Sequence, residues 1–271
     1  MNKTEFKKTV ELIVGDISKT IEERLEGALV LCPAEDDKDA GEKNMIVYSA
    51  LLDMLWQECN DHSRDRTMLQ LYVLLAEAYD DADNYRPMGD LANGVLRLMR
   101  DRMTSSDIYK ETIPRLASAI GNSVYNHALF EILLMYVKSV LKDNPDDQSI
   151  KPHVKKLVKL YLLLDYNEWY EQEWNKNFQK ALSRFFSSEE LMHIISNPRI
   201  GHLNRDPVEY TWEWERIYYD MEAELDARFQ NAPRQMGLCF RIWSVKRDLL
   251  KEKYGIEWRS PAQMNPRVLF D

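Results

Sequence analysis

Apolar residues recur every three or four positions along nearly the whole chain, and this period is the feature that most restricts its fold. Such spacing brings apolar side chains to one face of an α-helix, whereas a half-buried strand needs strict alternation. No run of alternating β-branched residues occurs. Glycine and proline are sparse, with 9 and 10 among 271 residues. The sequence therefore predicts an all-α protein.

The apolar period also places the individual helices. The first stripe runs from Phe6 to Leu29 and predicts one helix that ends before Cys32-Pro33. Ser187 and Asp206 are predicted N-cap residues, because each is a short polar residue just ahead of a helical pattern. The further predicted helices cover 44–60, 66–82, 87–103, 107–125, 127–143, 151–165, 167–186, 188–196, 207–230 and 236–254.

Composition and cysteine spacing indicate the class of protein. Apolar residues make up 45% of the chain and charged residues 30%, as in ordinary globular proteins. Cys32, Cys59 and Cys239 lack Cys-x-x-Cys spacing, which argues against a disulfide framework or a zinc ribbon. We find neither a secretory signal pattern nor an apolar run near the roughly 20 residues that span a bilayer. We therefore expect a cytoplasmic protein with no membrane partner.

Two segments in the middle of the chain resemble tetratricopeptide repeats. The resemblance implies paired helices in which small residues permit close approach and aromatic rings fill the space beside them. A third hairpin, 151–186, has few signature residues. The matching residues are Leu69, Tyr72, Leu75, Ala76, Tyr79 and Tyr85 in the first segment, and Pro114, Ile120, Gly121, Phe130, Val140 and Pro145 in the second.

This resemblance predicts a helical-hairpin array of the α-solenoid kind at 1–196. A C-terminal helical cap with an extended, docked apolar tail is expected at 197–271. The two segments start farther apart than the family period of about 34 residues. An irregular helical bundle therefore stays open as the alternative.

The resemblance also implies where a ligand would bind, because tetratricopeptide ligands lie along the first helix of each hairpin. The first set of residues, called the acidic set, would favour a basic peptide. The second, called the donor set, is suited to a carboxylate. The alternative is that both are solvated helix faces. The acidic set is Gln70, Val73, Glu77, Asp80 and Asp81, and the donor set is Arg115, Ser118, Asn122, Tyr125 and Asn126.

Paired carboxylates provide a catalytic alternative. Carboxylates on helical faces can bind Mg²⁺, as in the all-α nucleotide pyrophosphohydrolases. With 45 acidic residues in the chain, chance explains such pairs almost as well. The residues concerned are Glu58, Asp61, Glu77 and Asp80. We expect no cofactor and no metal unless these four carboxylates converge in the fold.

A polar loop at 197–207 is a possible anion site. Its cationic and amide side chains precede a helix N-terminus, where backbone N–H groups also favour anions. Because Asp206 has the character of a helix cap, a structural turn is the alternative. The candidate residues are Arg199, His202, Asn204 and Arg205.

The charge of the chain reverses at Asn231. Residues 231–271 contain eight Lys and Arg against four Asp and Glu, whereas the whole chain has 36 against 45. The basic segment is amphipathic, so we expect it to cap the acidic body of the same chain. Its interleaved aromatic residues would also suit single-stranded nucleic acid, with Arg241, Lys246 and Arg247 as the contacts.

Taken together, these patterns favour a non-catalytic protein-interaction scaffold or adaptor whose partner is a protein or peptide. The alternatives are a small Mg²⁺-dependent hydrolase and nucleic-acid binding by the basic C-terminal segment. Nucleic acid is the weaker partner, because a small positive charge beside a large negative one gives low, salt-sensitive affinity. The sequence predicts no oligomeric state.

Overall fold

The computed structural model of the chain describes residues 2–33, 37, 39–59, 61–101, 106–164, 179–196 and 202–270. These residues are helical and contain no strand, which confirms the predicted all-α class. No helix in the described part is long and apolar enough to cross a membrane. The chain forms two compact units, 1–147 and 148–271. The boundary expected at residue 196 stays a prediction.

The first unit is built from helices of two to five turns. Its helices are α1 (Lys3–Val14), α2 (Ile21–Leu29), α3 (Ala40–Glu58), α4 (Asp65–Asp81), α5 (Met88–Asp101), α6 (Ser106–Ile120) and α7 (Asn126–Asp143). Helix α4 packs against both α5 and α6, and α7 packs against both α5 and α6. Helix α3 packs on α4, and α1 packs on α3. Two successive hairpins therefore stack first helix on first helix and second helix on second helix.

The prediction of a single first helix was wrong, because the chain breaks between α1 and α2. The Thr20 hydroxyl accepts a hydrogen bond from the Glu23 backbone N–H at 3.2 Å, and the Glu23 carboxylate accepts one from the Thr20 backbone N–H at 2.8 Å. This capping box starts a new helix. The apolar stripe continues across the break, so periodicity alone did not reveal it.

Two glycines of α5 let aromatic rings approach the helix backbone. A Cβ on Gly94 would lie 2.3 Å from the Tyr72 hydroxyl, and one on Gly89 would lie 2.7 Å from the Tyr125 ring. Around these contacts the core is apolar. Its largest fully buried side chains in this unit are Leu51, Leu55, Met68, Leu69, Met88, Leu98, Met99, Ile113, Leu116, Ile120 and Phe130. The resemblance implied small residues beside aromatic rings, but it did not include either of these glycines.

The second unit contains shorter helices and one long pair. Its helices are α8 (Lys151–Leu163), α9 (Gln179–Phe185), α10 (Ser188–Ser196), α11 (Trp212–Phe229), α12 (Leu238–Tyr254) and α13 (Pro261–Met264). Helix α8 packs on α10, and α11 packs on α12. The helix predicted at 167–186 is the second helix of the third hairpin, and most of it lies outside the described residues.

Two helix ends in this unit show how caps decide boundaries. The helix predicted at 207–230 is interrupted, because Asp206 caps only the 3-10 turn Pro207–Tyr210 and Thr211 then caps α11. Gly255 ends α12 with φ of +69°, directly after the predicted helix end at residue 254. Beyond Gly255 the tail docks through Trp258, whose ring lies 6.4 Å from that of Trp214.

Candidate functional site

The acidic set and the donor set bond to each other, because α4 packs against α6. The Arg115 Nε and Nη2 atoms donate to the two carboxylate oxygens of Glu77 at 2.8 and 2.6 Å. The Asn122 amide donates to both oxygens of Asp80 at 3.0 and 2.9 Å. Surfaces expected to bind partners of opposite charge therefore neutralise one another.

Other contacts occupy these carboxylates further. The Tyr85 hydroxyl donates to Asp80 at 2.9 Å, and this hydrogen bond raises the pKa of Tyr85 to about 12. The hydrogen bond to Glu77 raises the pKa of Arg115. Each carboxylate of the acidic set that faces α6 thus already has a donor.

The remaining members of the two sets are divided between core and surface. Val73 is only 1% exposed and belongs to the core. The Tyr125 hydroxyl donates to the Arg86 carbonyl at 3.0 Å, and the Asn126 amide donates to the Val124 carbonyl at 3.2 Å. Gln70, Asp81 and Ser118 are exposed. The ligand role given to these sets by the resemblance stays a prediction.

The carboxylates of the hydrolase alternative are engaged separately. The Arg24 guanidinium bonds to both oxygens of Glu58, and these hydrogen bonds lower the pKa of that carboxyl. Asp61 accepts from the Ser63 backbone N–H at 3.2 Å and caps a short 3-10 turn. Among the described residues no three His, Cys, Asp or Glu side chains group closely enough to hold a metal ion. The arrangement gives the hydrolase alternative no support.

An open groove of about 850 Å³ runs along the seam between α1 and α3. Its apolar floor is formed by the half-buried side chains of Val14, Met45, Ile46 and Ala50, with the buried Val10 and Met54 beneath them. The lining residues on α1 are Lys3, Thr4, Lys7, Val10, Glu11 and Val14; those on α3 are Glu42, Met45, Ile46, Ser49, Ala50, Asp53, Met54, Gln57 and Glu58; and the others are Gly15, Tyr79, Asn84 and Pro87.

The rim of this groove is acidic, with four carboxylates against two lysines. At one end Lys3 bridges to Glu42 at 2.8 Å, and at the other Glu58 is held by Arg24. Asp53 lies between them on α3, is exposed, and has no ion-pair partner in the described part of the chain. Glu11 pairs with Lys7 at 3.8 Å, so Asp53 is the lining carboxylate without an ion pair within the described residues. The groove therefore offers an apolar floor beside one unpaired negative charge.

Apart from Glu58, which was a candidate metal ligand, the sequence did not indicate the groove residues, because α1 and α3 meet across the break and the loop that separate them. The available signal lies within α3, where the polar residues Ser49, Asp53 and Gln57 recur four apart on one helix face. Such a polar stripe beside an apolar one marks a face that the core does not fully cover.

The loop considered as an anion site is tied to the tail of its own unit. The Asn204 backbone N–H donates to the Asn265 side chain at 2.8 Å, and the Asn265 amide donates back to the Asn204 carbonyl at 2.8 Å. Arg259 donates to Asp206 through its backbone N–H at 2.8 Å and its Nε at 2.9 Å. These bonds support the structural-turn alternative. Of the candidates, His202 and Arg205 are exposed, and Arg199 lies outside the described residues.

Two of the eight cations of the basic segment pair with carboxylates of α11. Lys246 pairs with Glu222, and its Nζ lies 5.1 to 5.5 Å from the ring centres of Trp214, Tyr218 and Trp258. The Lys246 side chain is 12% exposed, so it is a poor contact for nucleic acid. Lys253 pairs with Glu224 at 2.6 Å. Of the other two nucleic-acid candidates, Arg241 is exposed, and Arg247 lies 3.9 Å from Asp248.

Comparison of the chain with protein-family models, with curated proteins and with solved structures finds no match.

Proposed function

We propose that the chain is a non-catalytic protein-interaction scaffold or adaptor that binds a basic, amphipathic segment of a partner in the groove between α1 and α3. The observation that carries the proposal is the combination of an apolar floor with an acidic rim. The tetratricopeptide-like stacking of α4 to α7 supports it, because helical-hairpin arrays characteristically present extended binding surfaces.

The dimensions of the groove favour a peptide. Along α3 the lining extends from Glu42 to Glu58, which at 1.5 Å per residue is about 24 Å. That length accommodates roughly 16 residues of a partner helix or about seven residues of an extended strand. Helix-in-groove recognition uses apolar anchors spaced three or four residues apart. A continuous seam between two helices provides such a track.

The charge of the rim selects among peptides. Carboxylates around an apolar floor attract Lys and Arg and repel acidic segments, which gives specificity and a faster association rate. Asp53 is the central charge, since the bridges of Lys3 to Glu42 and Arg24 to Glu58 occupy the ends. A partner cation beside Asp53 would complete an ion pair that the chain itself leaves open.

A display library of random peptides, selected on the full chain, tests this proposal. Selected peptides are expected to carry Lys or Arg beside large apolar residues. Ala50→Arg places a long cationic side chain in the groove and is expected to abolish their binding. Ser118→Arg, an exposed change of similar kind on α6, is the matched control and is expected to retain it. Far-ultraviolet circular dichroism verifies that both variants stay folded.

Two results would count against the groove. One is a selection that yields no cationic, apolar family of peptides. The other is equal binding of the selected peptides to the folded Ala50→Arg variant and to the unaltered chain. Loss of binding in Ser118→Arg but not in Ala50→Arg would instead return the interaction to the α4 and α6 sets.

A further inference from the structure

Three aromatic rings form a packed cluster on the surface where α12 meets the tail. The Trp243 ring lies 5.3 Å from Phe240 and 5.1 Å from Phe270, in edge-to-face geometry with both. Beside the cluster in the sequence, Met236 is 89% exposed and Leu269 is 99% exposed. Exposed large apolar side chains next in sequence to a packed ring cluster indicate an interaction surface.

Five of the eight cations of this segment lie within ion-pair distance of a carboxylate, and the longest of these distances is 3.9 Å, from Arg247 to Asp248. Lys246, Lys251, Lys253 and Arg259 each pair with a carboxylate at 2.9 Å or less. Arg234, Arg241 and Arg267, in contrast, are exposed and have no ion-pair partner within the described residues. The unpaired charge of the basic segment is thus concentrated in these three arginines.

The three arginines are also the cations nearest in sequence to the exposed apolar side chains. Arg241 follows Phe240 directly, Arg234 comes two residues before Met236, and Arg267 two residues before Leu269. We call these residues and the ring cluster the arginine–aromatic surface. Its full membership is Arg234, Met236, Phe240, Arg241, Trp243, Arg267, Leu269 and Phe270.

We propose that the arginine–aromatic surface binds an acidic segment of a partner protein, one that carries Asp or Glu around Leu, Phe or Met anchors. Charge complementarity selects the acidic partner, because the three arginines lack internal counter-ions. Tryptophan, phenylalanine, methionine and arginine are also the side chains enriched in the cores and energetic centres of protein interfaces.

Two other anionic partners are less favoured by the same residues. An anionic bilayer attracts lysine and arginine alike, whereas the unpaired cations here are all arginine, whose planar fork matches a carboxylate. Single-stranded nucleic acid stacks its bases on free ring faces, but these three rings already pack on one another. Both partners therefore serve as alternative outcomes of the test.

This surface lies in the second unit and does not rest on the groove between α1 and α3. The two proposals can fail independently, because their peptides have opposite charge. If both hold, the chain has one surface for a basic segment and another for an acidic one, as an adaptor requires.

The test measures binding of fluorescent synthetic peptides to the full chain by fluorescence anisotropy. The first peptide is acidic and contains Leu and Phe, the second is acidic with Ser in place of Leu and Phe, and the third is basic and contains Leu and Phe. The first peptide is expected to bind and the second is not. The triple variant Arg234→Glu, Arg241→Glu and Arg267→Glu is expected to weaken that binding at least about tenfold, as is the double variant Met236→Ser and Leu269→Ser. The double variant changes only protruding side chains.

A charge-matched control separates docking from long-range attraction. Lys8→Glu, Lys138→Glu and Lys142→Glu change the net charge by the same amount at exposed sites outside both surfaces. They are expected to leave the acidic peptide bound. The proposal is overturned if the acidic, apolar peptide does not bind, or if the control weakens it equally. It is also overturned if phosphatidylserine vesicles or oligo(dT) bind through these residues while the peptide does not.

Discussion

Gly94 and Tyr72 show how tightly single residues are constrained in the first unit. The Tyr72 hydroxyl accepts a hydrogen bond from Trp56 Nε1 at 2.7 Å and lies where a Cβ of residue 94 would be. Gly94→Ala is therefore expected to lower the free energy of unfolding by about 2 kcal/mol, since overpacked cores typically cost 1 to 3. Urea denaturation of the full chain measures the change.

A second glycine provides the comparison. Gly41 lies in α3, and a Cβ there would meet only the Ala82 Cβ at 4.0 Å. Gly41→Ala is expected to be neutral or to stabilise by up to about 1 kcal/mol, because alanine is the better helix former. If Gly94→Ala proves as harmless as Gly41→Ala, the close approach of the Tyr72 ring is not as described.

At this scale the sequence predicted residue types better than partners. The resemblance to tetratricopeptide repeats implied that Tyr72 and Tyr85 fill space between helices. It did not predict that Asp80 accepts from Asn122, which is 42 residues away, since no local pattern encodes that contact. Val73 of the candidate ligand residues is buried, and the sequence did not show that Glu77 and Asp80 bond to Arg115 and Asn122. The ligand role of these residues stays a prediction.

Asp206 joins three elements of the second unit and makes stability depend on pH. Burial alone would raise the pKa of Asp206, but hydrogen bonds from Arg259 and Val208 outweigh it and lower that pKa. A carboxyl with a lowered folded-state pKa stabilises the fold above its unfolded-state pKa. That contribution disappears as the pH falls through the folded-state pKa.

Asp206→Asn is accordingly expected to cost about 2 kcal/mol of unfolding free energy at neutral pH, the usual size for charged hydrogen bonds. The difference from the unaltered chain should shrink as the pH falls below the ordinary Asp pKa of about 3.9. Urea titrations followed by tryptophan fluorescence, at neutral pH and below the ordinary Asp pKa, measure this difference in unfolding free energy. Asp248→Asn, on the exposed side of α12, is the matched control. If the difference in unfolding free energy between Asp206→Asn and the unaltered chain does not depend on pH, the Asp206 carboxylate is not the source of the pH dependence.

Elements were predictable where the apolar period and a cap agree. Helix α12 ends at Gly255, directly after the predicted helix end at residue 254. Glycine suits this position because, without a Cβ, it adopts a positive φ at no steric cost. The break after α1 was missed, since the stripe from Phe6 to Leu29 continues through it while the capping residues Thr20 and Glu23 act locally. Caps at Asp206 and Thr211 likewise divide one predicted helix into two. The apolar period shows which face of a helix is buried, whereas the capping residues show where a helix begins or ends.

At the scale of the whole molecule, the chain divides into two compact units near residue 147. The first unit has its own apolar core between α3 and α7. Residues 1–147 produced alone are therefore expected to be helical and to unfold cooperatively on heating, as monitored by circular dichroism. A fragment without a cooperative transition would show that the first unit depends on the second.

The charge reversal at Asn231 is the whole-chain feature that the sequence located and the structure refines. Lys246 pairs with Glu222 and Lys253 with Glu224, which places two of the eight cations against α11. Three more pair outside α11, namely Arg247 with Asp248, Lys251 with Glu257 and Arg259 with Asp206. The cations without an ion pair within the described residues are Arg234, Arg241 and Arg267. The groove between α1 and α3 has no counterpart in the sequence analysis, because it depends on packing between helices separated by a loop.

The central claim is that the groove binds a basic segment, and the affinity of one selected cationic peptide for two charge-reversal variants tests it most directly. Asp53→Lys reverses the open charge of the groove, whereas Asp81→Lys makes the same change on the exposed face of α4. Isothermal titration is expected to show at least about tenfold weaker binding to Asp53→Lys, equivalent to 1.4 kcal/mol, and unchanged binding to Asp81→Lys. Equal affinity of the peptide for Asp53→Lys and the unaltered chain would contradict the claim.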